Sequence, residues 1–480
     1  MKCFFASGHE GGECLRKNGC GDLSGSPHFF RRNSVNRVLL AGVSSGCGKT
    51  TVTCGILQAL VNRGLRVGAF KCGPDYIDPM FHSRIIGAKS SNLDLYFFSE
   101  NTLRFLLAKN AADRDVSLIE GGMGYYDGLG LTTSRASSYE VAKVTKTPVV
   151  LVVNAKGAAL SVLAMIHGFQ NFYPGSNIRG VILNQCTAMT YAVLSPTIEA
   201  QLHVRCLGYL PVMKDCSMES RHLGLVTAEE VKNLKEKMQL LAQQVEKSID
   251  VDGLLSLSRE APDLEYTPVI LPRKEKIRLA VARDKAFCFY YEDNLEAFRE
   301  MGGEIVEFSP LLDKELPKDI QGLYLGGGYP ELHAEALSQN VSMRSAVREA
   351  LENGLPCMAE CGGFMYLTEA IESFPMVGYL HGNCFNNGKL TRFGYVTLHA
   401  KKDTLLCRAG EEIPAHEFHY WDSTQPGDAF VARKSTGKTW DCAVSDDKLY
   451  AGYPHFHVYA NPEILKRFYD TCLKEKHSHA

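Results

Sequence analysis

The 480-residue sequence is most informative at first for what it has little of. It has no excess of either charge: 52 Lys and Arg stand against 54 Asp and Glu, a net charge of −2. That gives no electrostatic reason for a nucleic-acid or polyanion partner. No apolar run approaches the ~18 residues of a membrane span, and the opening MKCFFASGHEGG lacks the apolar core of a secretory signal. A cytoplasmic chain with no membrane partner is the expectation. Thiols stay reduced in that compartment, so the 16 cysteines are not a disulfide framework. Cys3, Cys14 and Cys20 also form no C-x-x-C pair of the kind a zinc site uses. Most of the others sit singly in apolar segments, where a free cysteine behaves as a small buried hydrophobe. No short internal repeat is present.

What the chain does contain is typical of a globular protein: 45% hydrophobic and 22% charged residues. Its length predicts two domains of roughly 200 residues each. Residues 1–36 are Gly-, Cys- and Asn-rich without periodicity, and read as a poorly ordered leader. Short apolar runs then follow (RVLLAGV, RVGAFKC, VSLIEGG, PVVLVVNA, IRGVILNQ), alternating with stretches of helical spacing. Buried strands alternating with helices predict a parallel α/β sheet, with ligand loops at the strands' carboxyl ends. An amphipathic helix with a Thr cap is predicted over 227–249 and closes a first domain at 37–257. The Pro-rich, charged stretch 258–276 reads as a linker. The alternation restarts with IRLAVARD, giving a second α/β domain at 277–467 and a tail at 468–480.

AGVSSGCGKTT (41–51) follows a strand and opens a helix, the setting of a phosphate-binding loop. Backbone N–H groups at a helix N-terminus favour an anion. Gly46, Gly48 and the amides up to Thr51 would cradle the phosphates, Lys49 would reach the outer ones, and the Thr50 hydroxyl would bind Mg²⁺. The loop is one residue longer than the strict G-x4-G-K-[ST], a spacing similar to that of dethiobiotin synthetase and its relatives. Two acidic clusters lie at the ends of other strands: Asp75 and Asp78 in KCGPDYIDP, and Glu120 and Asp127 in IEGGMGYYDG. Asp, Gly and Pro also build ordinary turns. Glu120 is different, a carboxylate placed directly after a buried run. Thr50, Asp75 and Glu120 are the expected Mg²⁺ ligands, since that hard ion takes oxygen donors.

LPCMAECGGFMYL (355–367) reads as strand, tight turn and helix with Cys361 at the apex. Small residues at −2 and +2, Ala359 and Gly363, suit a nucleophile elbow. A helix N-terminus would lower the thiol pKa, and the N–H of Gly362 would donate to an oxyanion. A second donor, Gly327, is expected from LGGGYP. Cys357, within the apolar strand, reads as core. A cysteine nucleophile needs a base, and AGYPHFHVYA offers His455 and His457, which alternation puts on one face.

Class I glutamine amidotransferases have a similar elbow and late histidine, with a glutamate two residues beyond it. Here that place holds His457, so the resemblance implies a Cys361–His455 dyad. Taken in order, AGVSSGCGKTT, FKCGPDYIDPMFH, NLDLY, IEGGMGYYDG, SRHLGL, ARDKAFCFYYEDNL, FSPLLDKELP, YLGGGYPEL, AECGGFMYL and HEFHY resemble the cobyrinate a,c-diamide synthase family. The resemblance implies ATP with Mg²⁺, L-glutamine and a tetrapyrrole polycarboxylate as ligands. Ammonia released at Cys361 would displace phosphate from an acyl phosphate made at the P-loop. It also implies that Asp78, Arg221, His222 and His416 face the acceptor, with Glu417 and His419 nearby. The same residues could equally be surface turns and satisfied histidines. Asn154 stands where the family usually has Asp, and Ala415 where Gly is common. Oligomeric state is not legible, a homodimer being one option. The rival readings are a nickel-sirohydrochlorin a,c-diamide synthase, a cobyric acid synthase, a dethiobiotin-synthetase-like carboxylase, and a P-loop switch or scaffold. The carboxylase leaves the C-terminal half without work, and the scaffold leaves Lys49, Thr50, Cys361 and His455 unexplained.

Overall fold

The computed structural model describes residues 31–130, 132–216 and 234–478. The apolar runs of the first half become a seven-stranded, wholly parallel sheet. Its order is Lys89–Leu93, Val67–Cys72, Val116–Glu120, Arg37–Gly42, Val149–Asn154, Ile178–Asn184, Arg205–Leu210. Continuous hydrophobic runs suit such a sheet because both faces are covered, and every residue of Arg37–Gly42 and Val67–Cys72 is buried. The P-loop helix, Lys49–Asn62, puts Val52, Ile56, Leu57 and Leu60 fully inside. Each such side chain contributes about 1.5–3 kcal/mol. The helix shares one core cluster with Leu234–Ser248, through Met238, Leu241 and Val245. It ends where the N–H of Arg63 closes on Ala59 and Gly64 turns left-handed. The amphipathic helix expected over 227–249 is seen as Leu234–Ser248, and its Thr cap lies outside the described residues.

The second half builds a six-stranded sheet in the order Glu304–Phe308, Arg278–Ala282, Gly322–Leu325, Cys357–Glu360, Leu449–Gly452, Val444–Ser445. Only the last strand is antiparallel. A five-stranded antiparallel sheet containing Arg392–Ala400, Glu412–His419 and His455–Phe456 lies beside it. Two α/β domains, the first with a P-loop, are therefore the architecture.

Three boundaries differ from the expectation. Arg31–Asn33, assigned to the leader, pairs antiparallel with Leu264–Tyr266, assigned to the linker. The physical tie is Arg37, fully buried, whose guanidinium donates to the carbonyls of Val35, Thr145 and Pro262. The stretch after 258 is thus bound to the first domain at both Pro262 and Tyr266. The expected tail from 468 continues the helix Pro462–Ser478, because Ile464, Leu465, Phe468, Tyr469 and Cys472 recur at helical spacing and are buried. Between the domains, Asn110 Nδ2 donates to Asp293 (2.8 Å), Lys109 pairs with Glu300 (2.6 Å), and the Tyr395 hydroxyl donates to Asp94 (2.8 Å).

Candidate active site

At the carboxyl end of Arg37–Gly42 the P-loop adopts the expected turn, with Gly46 and Gly48 at φ +73° and +93°. No side chain fits at Gly48: a Cβ would lie 2.0 Å from Asn184 Nδ2, which donates to the Cys47 carbonyl at 2.8 Å. Lys49 is buried and bonds the loop's own Ser44 carbonyl (3.1 Å); desolvation lowers its pKa. Thr51 follows Thr50 in the first turn of the helix. The Thr50 hydroxyl donates to Glu120 Oε1 at 2.7 Å. Glu120, fully buried at its strand end, also takes Lys71 Nζ at 2.8 Å and has His82 Nε2 3.2 Å from its other oxygen. Burial alone would raise its pKa, but Lys71 and His82 hold the carboxyl well below the usual range.

Lys71 was not anticipated. It sits in the buried strand VGAFKC and donates to Asp78 as well as Glu120. Burial opposes its charge, and the two carboxylates overcome that and hold it well above the ordinary range. Asp78 is pushed up by burial, against the pull of Lys71. Neither aspartate stands where it was expected. Asp75, expected on the metal, accepts from the amide of Ile77 (2.8 Å) and caps its own turn, while Asp78 joins the Glu120 cluster. Asp127 accepts from the Gly124 amide, which is turn chemistry. Asn154 accepts from the Lys156 amide at a strand end paired with Asn184.

Among the described residues no group of three or more His, Cys, Asp or Glu forms a metal cage. The Thr50–Glu120 pair of oxygen donors still fits Mg²⁺, which takes one or two protein carboxylates and completes its shell with water and substrate phosphates.

In the second domain Cys361 stands at the elbow with φ +48° and ψ −101°, a strained conformation that projects its side chain from the turn. The thiol is not lowered as the helix N-terminus suggested. Burial pushes it up, and the carboxylates of Glu331, Glu360 and Glu417 add to that, against the Gly362 amide. Glu331 is itself pushed up to about 7 by burial. Gly327 and Gly328 form the short strand beside the elbow. A Cβ on Gly362 would lie 3.1 Å from the Gly328 nitrogen, and one on Gly327 would lie 2.5 Å from His455 Cε1 and 3.2 Å from its Nε2. The histidine and the cysteine thus border one glycine turn.

The full set of partners is larger than a dyad. Glu360, the residue before the cysteine, places Oε2 2.9 Å from His455 Nδ1. The Tyr324 hydroxyl donates to its other oxygen at 2.9 Å. All three residues are buried.

Residues 38–226 match the model of the CobQ/CobB/MinD/ParA nucleotide binding domain, and 278–463 that of the CobB/CobQ-like glutamine amidotransferase domain. The chain is 41% identical over 443 residues to cobyrinate a,c-diamide synthase of Caldanaerobacter subterraneus subsp. tengcongensis, covering 90% of this chain and 98% of that one. It is 40% identical over 448 residues to the protein of that name from Listeria monocytogenes serotype 4b (91% and 99% covered). Against that of Thermoplasma volcanium it is 38% identical over 453 residues (92% and 98%). The chain belongs to the cobyrinate a,c-diamide synthase family. It is an enzyme of the glutamine-hydrolysing ligase class.

Of the remaining residues expected in this family member's site, Arg221 and His222 lie outside the described residues. His416 pairs with His455 across neighbouring strands and packs its ring 5.6 Å from Tyr395; burial lowers its pKa to about 3, so it is neutral. Glu417 and His419 point to the opposite, buried face of the strand, with His419 stacked on Tyr453 at 4.0 Å. His457 does not join His455: it lies 3.8 Å from Asp293, fully buried. Cys357 is core, as expected. Among the described residues no helix is long and apolar enough to cross a membrane.

Proposed function

We infer that this chain amidates the a- and c-acetate carboxylates of cobyrinate, using ATP and glutamine, to give cobyrinate a,c-diamide in cobalamin biosynthesis. The observation that carries the reading is the pairing, in one family member, of a P-loop with a buried carboxylate on its threonine and a cysteine elbow with its base. One site makes ammonia, and the other activates its acceptor.

Cys361 is the nucleophile of glutamine hydrolysis, and its activation falls to His455. Its Nδ1 is held by Glu360, which leaves Nε2 for the thiol proton. As Sγ bonds to the amide carbon, the proton passes to His455, and the amides of Gly362 and Gly327 receive the oxyanion. Collapse to the thioester sends that proton to the leaving nitrogen, releasing ammonia. Water, deprotonated by His455, then cleaves the thioester to glutamate and restores the thiol.

In the first domain Lys49 and the loop amides hold the ATP phosphates, and Thr50 and Glu120 would hold Mg²⁺, which when bound supplies charge neutralisation between the phosphates. An acetate oxygen attacks the γ-phosphorus and ADP leaves. Ammonia then attacks the acyl carbon, and phosphate departs as the amide forms. Lys71 keeps Glu120 ionised for this work.

The test is mass spectrometry of cobyrinate incubated with the protein, ATP, Mg²⁺ and glutamine. Two carboxyls converted to amides is the expected result. No product, with glutamate still released from glutamine, would reject cobyrinate as the acceptor.

A further inference from the structure

One charge beside the elbow has no part in the chemistry above. Pro330–His333 forms a short 3-10 turn directly after the glycines, and it carries Glu331. Pro330 packs on the elbow: a Cβ on Gly362 would lie 2.9 Å from its Cδ. The carboxylate that follows it bears on the Cys361 thiol more strongly than that of Glu360, the residue next to the cysteine. The other two carboxylates that act on the thiol have partners. Glu360 holds His455 and takes the Tyr324 hydroxyl, and Glu417 has His419 3.8 Å away. Glu331 accepts from its own amide, and among the described residues no Lys, Arg or His pairs with it. Beside the same turn Tyr329, Met80 and Cys288 form an apolar cluster. A shielded carboxylate without a counter-ion is costly, and nothing in the packing here offsets it.

Resting on the reading of Cys361 as the nucleophile of glutamine hydrolysis, we propose that Glu331 is a specificity residue that binds the α-ammonium of L-glutamine. The ligand follows from charge and reach. A carboxylate beside apolar groups selects a cation that can donate to it. The cation that the hydrolysis itself brings to the thiol is the ammonium of the amino acid whose side-chain amide is attacked. In extended glutamine that nitrogen is four bonds from the amide carbon, roughly 5 Å on ordinary bond lengths. With the amide carbon at Cys361, the ammonium therefore falls within the short range over which Glu331 acts on the thiol. Burial pushes the free carboxyl up to about 7, and an arriving ammonium favours its ionised form. The ion pair in turn offsets the negative charge that Glu331 presents to Cys361. Glutamine thus supplies the cation that completes its own site, and an amide without that ammonium does not.

The test compares L-glutamine with glutaramate, the same amide without its α-amino group, by ammonia release from each in the full-length protein. The unaltered protein should favour glutamine by about 10²-fold or more in kcat/KM, since the analogue leaves a shielded carboxylate unpaired. Glu331→Gln should lower kcat/KM for glutamine by about 30-fold or more. The loss should fall mainly on KM, because the contact is made alike before and in the transition state. Hydrolysis of glutaramate by the same variant should stay within about threefold of the unaltered protein. Glu331→Asp, which keeps the charge, should retain more of the preference than Glu331→Gln. Ammonia-dependent amidation reports that each variant is folded. An equal fall for both amides would overturn the proposal and give Glu331 a part in the amide chemistry instead. So would a Glu331→Gln variant with the full preference for glutamine, or an unaltered protein that does not tell the two compounds apart. An unaltered protein that hydrolyses neither would reject the reading of the elbow itself, and the proposal with it.

Discussion

Around Cys361 a chain of hydrogen bonds orients the base, whereas around Lys49 the charged groups are bonded to one another and to the loop itself. Glu360 holds His455, and Tyr324 holds Glu360. In the P-loop, Lys49 bonds Ser44, Thr50 bonds Glu120, and Lys71 bridges two carboxylates. The difference follows from what each site must bury. The hydrolytic site works with neutral or singly charged groups that can stay in place through a turnover. The P-loop site gathers buried charges of both signs, and Lys71, Glu120 and Asp78 offset one another's desolvation.

Five experiments would break or sharpen this contrast. The largest effect belongs to Cys361→Ser, which should reduce glutamine-dependent amidation by at least about 10⁴-fold while ammonia-dependent amidation persists. Parallel loss of both rates would mean that the sites do not divide the work. Next, Glu360→Gln should cut glutamate release by about 10³- to 10⁴-fold and move the pH–rate profile, because the amide no longer fixes the tautomer of His455. A profile of unchanged shape and rate would reduce the pair to packing. Lys71→Met should lower stability by about 3–5 kcal/mol in denaturant unfolding, with part restored by Mg²⁺, since it leaves Glu120 and Asp78 buried without their cation. Indifference to Mg²⁺ would separate that cluster from the metal. Lys49→Ala should lower amidation from either nitrogen source by about 10²- to 10³-fold, and normal turnover with ammonia would remove the P-loop from the mechanism. The smallest effect concerns the domain interface. Burial pushes the Asp94 carboxyl up to about 6, against hydrogen bonds from Tyr395 and the Tyr96 amide. A carboxyl whose folded pKa exceeds its unfolded value binds its proton more tightly when folded, so stability should fall as pH rises from about 4 to about 6, by up to ~3 kcal/mol. Asp94→Asn should flatten unfolding measurements across that window, and an unchanged slope would assign it to other groups.

Much of this was legible in the chain, and the exceptions share a pattern. Glu120 was singled out because a carboxylate directly after the buried run VSLI must have a reason to be there. The same signal marks Glu360 after CMA and Lys71 within VGAFKC, a charged side chain at or within a buried run. The acid that holds His455 is Glu360, beside the cysteine, and not a residue two positions beyond the histidine, where His457 stands. Asp75 and Asp78 were given different roles, on the metal and toward the acceptor, but which one turns back on its own helix depends on where that helix starts. The thiol of Cys361 was assigned the wrong direction for a related reason. A helix N-terminus is visible in sequence, but the burial of the thiol and the approach of Glu331 and Glu417 from other segments are not.

The sequence by itself determined the strands, the helices between them, the P-loop and the elbow, because each is a short-range pattern of apolar spacing, small residues and caps that needs no distant partner. Only the tertiary structure decided which charges meet. Glu360 finds His455 95 residues away, Arg37 finds Pro262 across 225, and Tyr76 comes to rest on a histidine of the other domain. Such contacts are set by how two sheets pack against one another, and burial makes them count, since a charge removed from water must find its partner wherever the fold has put it.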